Sequence, residues 1–129
     1  MNTVLIADDV PVDAQQLGEL VQSLGATVTL AYSAIEARQV LTQQAFDLVI
    51  CAYALTTDET QNPLQFIGDA SVAFTLPFGS GVDITVDAMN RGAKHCFGKP
   101  LKQQQLTSNI QRLLASAPSA THRLSLIHI

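Results

Sequence analysis

Between Phe46 and Tyr53 the chain reads FDLVICAY, and from Leu48 to Ala52 no polar residue interrupts it. A strand with one face in water alternates polar and apolar residues, and this stretch does not. A short aliphatic and β-branched run bounded by polar segments is a strand covered on both faces, as in a parallel sheet sandwiched between helices. In open α/β sheets the chemistry gathers beyond the carboxyl ends of the central strands. Here that end carries Ala52, a methyl group.

The rest of the chain repeats the theme. Thr3 to Ala7 (TVLIA) is a second apolar strand, and Asp8-Asp9 follows it. Pro11 suits the first turn of a helix, where its missing N–H costs nothing. Leu17, Leu20, Val21 and Leu24 recur at helical spacing, with Gly25 as the C-terminal stop. Thr27 to Ala31 is a strand, and Ser33 with Glu36 forms a capping box for the helix bearing Ile35, Ala37, Val40 and Leu41. After Tyr53 a polar loop, Thr56 to Asn62, leads to Pro63 and a short helix through Ile67. Ser71 to Leu76 is a fourth strand, Val82 to Arg91 a helix stopped by Gly92, and Lys94 to Phe97 a fifth strand ending at Gly98-Lys99-Pro100. Leu101, Leu106, Ile110, Leu113 and Leu114 mark a final amphipathic helix. Strands alternating with helices in this way imply right-handed crossovers and an α/β fold, a parallel sheet with helices on both faces.

The 129 residues fit one domain. A chain of this size buries roughly two-thirds of its unfolded surface, enough for a core without disulfides or metal. With 14% charged residues and net charge −4, the domain has no electrostatic footprint for nucleic acid. No apolar run reaches the length of a membrane span, and Met1 to Asp9 lacks a basic leader, so a cytoplasmic protein with no membrane contact is expected. Cys51 and Cys96 both fall in strands and are expected to act as small buried hydrophobes. The domain is expected over 1–116. Residues 117–123 are the start of a polar linker to a further domain. Leu124 to Ile129 (LSLIHI) reads as an in-frame translation of a transposase-type sequencing adapter, and is expected to be a non-native tail.

Three features converge on the carboxyl edge of the sheet: Asp8-Asp9, the end of the Phe46 strand, and Lys99-Pro100. Adjacent carboxylates suit a hard cation such as Mg²⁺, and a lysine suits a phosphoryl oxygen. Each signal alone is ordinary, since an acid pair at a strand end often only begins a helix and a Lys-Pro often only marks a loop. Together, over residues 2 to 116, the stretches VLIADD, FDLVI and AMNRGAKHCFGKP resemble the receiver domain of two-component response regulators. The resemblance implies a flavodoxin-like fold with strand order 2-1-3-4-5, Mg²⁺ at Asp8 and Asp9, and a phosphate-contacting Lys99.

The departures from the pattern are as informative. The family's phosphoaccepting aspartate falls on Ala52, which has no oxygen to phosphorylate. Its switch hydroxyl aligns with Leu76, or with Thr75 if the strand slips by one, and its switch aromatic aligns with Cys96, beside Phe97. A proline of the family is replaced by Thr56. The resemblance therefore implies a degenerate receiver: non-catalytic, needing no cofactor, with Mg²⁺ at most weakly held. Its contacts would be with a protein partner or a second copy. The face formed by the fourth predicted helix, the fifth strand and the last helix is the expected interface, with Asp83, Asp87, Arg91, Lys94 and Lys102 on it. The alternatives are phosphorylation on a non-standard residue, Asp58 or Glu59 being the nearest downstream acids, and a flavodoxin-like ligand binder. Against the latter, Asp8-Asp9-Val10-Pro11 offers two negative charges where a phosphate needs N–H donors. Gly79-Ser80-Gly81 is too short for a phosphate cradle and follows the wrong strand. His95 has no partner cluster in sequence. No Ser-His-Asp, Cys-His or hydrolytic acid pair is visible, so no enzyme is expected.

Overall fold

The computed structural model describes residues 2–57, 60, 62–68, 70–77, 79–99 and 101–116. Asp58, Glu59, Pro100, the expected linker and the expected tail lie outside them. Five strands, β1 (Thr3–Ala7), β2 (Thr27–Ala31), β3 (Leu48–Ala52), β4 (Ser71–Leu76) and β5 (His95–Gly98), form one parallel sheet in the order β2-β1-β3-β4-β5. Among the described residues four α-helices cover it: α1 (Pro11–Ser23), α2 (Ala34–Gln43), α3 (Val82–Asn90) and α4 (Gln103–Ser116). This is the expected flavodoxin-like arrangement.

Strand alternation divides the core in two. Val4, Ile6, Leu48, Ile50, Ala73 and Phe97 pack under α1 and α4, against Leu17, Val21, Leu106 and Ile110. Leu5, Ala7, Val49, Cys51, Phe74 and Leu76 pack on the other side with Ala37, Leu41 and Ala88 of α2 and α3. All five residues of β3 are buried, as a strand covered on both faces requires.

The local signals act as their chemistry predicts. Gly25 adopts φ +94° after α1, and Gly25 N–H and Ala26 N–H donate back to Gln22 and Val21 carbonyls, the hydrogen-bond pair of a Schellman ending. At α2 the Ser33 hydroxyl accepts from Glu36 N–H at 3.1 Å, while the Glu36 carboxylate accepts from the N–H of Tyr32 rather than of Ser33. Some boundaries shift. Tyr53 leaves the strand and opens a 3₁₀ turn, Tyr53–Thr56, and the helix expected at Pro63 is a second 3₁₀ turn, Pro63–Phe66. The fifth strand starts at His95, not Lys94, although Lys94 N–H already donates to Val72 O at the sheet's entry.

Candidate functional site at the carboxyl edge

Register fixes which side chains meet at the carboxyl edge. Ala52 is opposite Thr75, and Thr75 is opposite Phe97. Since alternate residues share a face, Ala52, Thr75 and Lys99 lie on the α1 side with Ile50, Ala73 and Phe97. Asp8, one step past β1, joins them because its N–H donates to Ala31 O at 3.0 Å and holds it in line with Ile6.

Asp8 is almost fully buried, and both of its carboxylate oxygens are hydrogen-bonded. One carboxylate oxygen accepts from Val10 N–H at 2.9 Å and from Lys99 Nζ at 3.2 Å. The other is 3.1 Å from Lys99 Nζ and 3.4 Å from the Thr75 hydroxyl. The same ammonium lies 2.9 Å from Asp13 Oδ2, in the first turn of α1. Burial works against the charge on Lys99, and hydrogen bonds to Asp13 and Asp8 outweigh it, so its pKa sits above the ordinary lysine value. Beside this cluster is a cleft of about 250 Å³ lined by Asp9, Val10, Asp13, Ala52, Ala54, Thr75, Pro77 and Lys99. Asp9 is exposed at its mouth.

Of the two residues weighed for a switch hydroxyl, Thr75 faces this cleft; Leu76 is turned into the opposite core. The strand's two-residue period separates them: of this pair only Thr75 shares the face of Ala52. Cys96 faces away from the cleft, toward α3, with its sulfur 3.7 Å from Met89 Sδ. Phe97 is buried under α4. Cys51 lies in the α2–α3 core, where desolvation, then the charges of Asp8 and Asp9, push its thiol up to about 12. It is a packing residue. His95 stacks against Phe97 with ring centroids 4.7 Å apart, and burial, then Arg112, lowers its pKa.

Two positions assigned to an outer interface are used internally. The Tyr53 hydroxyl donates to Asp87, Arg91 Nε pairs with the same carboxylate at 2.8 Å, and Arg91 NH1 donates to Thr56 O at 3.0 Å. Asp87 and Arg91 therefore brace the turn after Ala52 against α3. Asp83, Lys94 and Lys102 remain exposed. Asp13 is a site residue that no motif in the sequence marks. Its signal is an acid in the first turn of a helix that begins just after Asp8, a common pattern with no chemistry of its own until Lys99 is brought beside it.

The donor set does not fit a divalent cation. Both oxygens of Asp8 are engaged, Asp13 is paired, and residue 52 supplies no third carboxylate. Among the described residues no group of three His, Cys, Asp or Glu side chains is gathered to hold a metal, and no helix is long and apolar enough to cross a membrane.

No family model matches the chain. It is 27% identical over 119 residues to the transcriptional regulatory protein ZraR of Escherichia coli, covering 90% of this chain and 27% of that protein. With ZraR of Salmonella typhimurium the identity is 27% over 115 residues, covering 87% and 26%. The chain thus spans little more than a quarter of the curated relatives it matches. Among solved structures, the signal receiver domain of a DNA binding response regulator from Colwellia psychrerythraea superposes with TM-score 0.76 at 20% identity, covering 90% of this chain and all of that one. The receiver domain of the Francisella response regulator 1452 gives 0.74 at 19%, covering 88% and 96%. The fold of this chain is the fold of the response regulator receiver domains.

Proposed function

We propose that the chain is a receiver-type module of a two-component regulatory protein that signals by protein contact, without taking a phosphoryl group on an aspartate. The observation that carries this reading is Ala52: its methyl lines the cleft beside Thr75 and Lys99, where the family's acceptor carboxylate would stand. A methyl offers no nucleophile. Lys99, the phosphate-contacting position that the resemblance implies, is here engaged by two acids. The module is proposed to be non-catalytic and cytoplasmic, and to engage a protein partner or a second copy through the face of α3, β5 and α4.

The test is intact-mass spectrometry of the chain after incubation with Mg²⁺ and acetyl phosphate. No phosphoryl adduct is expected. A stoichiometric, base-labile adduct would overturn the reading and direct attention to another acid, Asp58 first.

A further inference from the structure

The poor fit of this cleft to a metal has a positive counterpart in Lys99. Its ammonium touches both oxygens of buried Asp8 and one of Asp13, with separations of 3.2, 3.1 and 2.9 Å. A buried carboxylate needs a counter-charge, since an unpaired one in a dry setting is strongly disfavoured. Among the described residues no other cationic side chain pairs with Asp8: its remaining partners are Val10 N–H and the Thr75 hydroxyl. No buried side-chain nitrogen or oxygen among the described residues is left without a hydrogen bond. The cluster is complete as it stands.

We infer that Lys99 is the resident cation of this cleft, a positioning residue that joins the end of β5 to the start of α1 through Asp8 and Asp13 and makes the domain independent of divalent cations. Three elements meet at that one nitrogen: the β1 end through Asp8, the first turn of α1 through Asp13, and β5 through the chain of Lys99 itself, whose N–H is held to Leu76 O at 3.2 Å. A divalent cation in the same place would take carboxylate oxygens from the same two residues, with Asp9 at the mouth. The ammonium and the metal are therefore alternatives for one position, and the covalently attached one holds it. The inference concerns the ions of the cleft and holds whether or not some other residue accepts a phosphoryl group.

The experiment removes the ammonium and offers a metal. The 129-residue wild type, Lys99→Met and, as a core control, Leu106→Ala are titrated with MnCl₂, following thermal melts and the electron paramagnetic resonance of free Mn²⁺. Wild type is expected to take up no Mn²⁺ and to melt unchanged. Lys99→Met is expected to melt lower without metal, to bind Mn²⁺ roughly tenfold or more tightly than wild type, and to recover part of the loss by mass action. Should Lys99→Met be unfolded without metal, Mn²⁺ should restore its circular dichroism, and EDTA should reverse that. Leu106→Ala should not respond. Wild type binding Mn²⁺ as tightly as Lys99→Met would overturn the inference. So would a Lys99→Met chain, folded or unfolded, on which Mn²⁺ has no effect.

Discussion

Tyr53, the residue directly after Ala52, donates its hydroxyl to Asp87 in the middle of α3 at 2.5 Å. Arg91 completes the link by pairing with Asp87 and lying over the Tyr53 ring, 5.5 Å from its centroid. The end of the central strand is thus fastened to the helix beside it, with Phe74 packed edge-on against Tyr53 beneath.

This link sets a pH window. The Tyr53 hydrogen bond, then Arg91, outweighs burial and holds the Asp87 carboxyl below its usual value of 3.8, while the same hydrogen bond raises the Tyr53 phenol above 10.0. A lowered carboxyl pKa contributes stability above the unfolded value, lost as pH falls through the folded one. A raised phenol pKa contributes below 10.0 and is lost as pH rises through its folded value. Tyr53→Phe is therefore expected to melt slightly below wild type at pH 6 to 8, the two converging in acid as Asp87 protonates. Because these side chains are only half-buried, the effect is small and should shrink further in high salt. Parallel melting curves with a constant offset down to pH 2 would contradict the assignment.

At the other edge of the sheet, Asp47 is buried and its carboxylate accepts from both Thr3 N–H, at 2.8 Å, and the Thr3 hydroxyl, at 3.3 Å. Asp47→Ala leaves the Thr3 donors without this acceptor. A loss of about 1–3 kcal/mol is expected, read as a lower urea midpoint with an unchanged slope. Asp47→Asn keeps one acceptor oxygen and should lose less. Equal losses for the two variants would mean that the carboxylate's charge, which both remove, matters there and not the acceptor oxygen that asparagine keeps.

The strands, their parallel arrangement and most helix ends were legible in the sequence because each rests on short-range pattern: the unbroken LVICA, Ser33 with Glu36, Gly25 and Gly92 after helices. The carboxyl edge was partly legible, since Asp8, Ala52 and Lys99 each sit at a strand end. Side-chain pairing across the fold was not. Thr75 and Leu76 differ by one residue, and only the β3–β4 register says which faces Ala52. Arg91 and Asp87 read as surface charges because nothing local to their helix reveals Tyr53 and Thr56, which reach them from 34 and 35 residues away.

Ala52→Asp tests the cleft from the acceptor side. The cleft beside Ala52, about 250 Å³, has room for a carboxylate. It would add a charge close to Asp8 and Asp13 with only Lys99 to offset all three, and like charges at close range disfavour ionisation. Ala52→Asp is expected to melt below wild type in EDTA and to regain stability in millimolar Mg²⁺, where wild type does not respond. A phosphoryl adduct with acetyl phosphate should then appear on the variant alone. A variant as stable as wild type in EDTA and blind to Mg²⁺ would show that residue 52 does not point at the acids.

On the proposed contact face, α3 presents Val82, Val86 and Met89, exposed at 77%, 51% and 47%. Their spacing of four and three places them on one side of the helix, flanked by Asp83. Lys94 and Lys102 lie on the neighbouring β5 approach and α4 entry. Three apolar side chains left in water on one short helix favour contact with another apolar surface, and charges of both signs around them favour a particular orientation. Substituting Arg91 would confuse a test of this face, because it also cuts the brace to Tyr53 and Thr56. Val82→Glu with Val86→Glu replaces two of the three residues of the apolar stripe while leaving Asp87, Arg91 and the buried Ala88 in place. Wild type is expected to gain mass with concentration in light scattering, the double variant to remain monomeric, and both to melt within about 1 °C of each other, as exposed substitutions usually allow. Acetyl phosphate should change neither profile. If the double variant associates as wild type does while fully folded, the contact lies on another face. If wild type stays monomeric at every concentration, a second copy is not what this face binds.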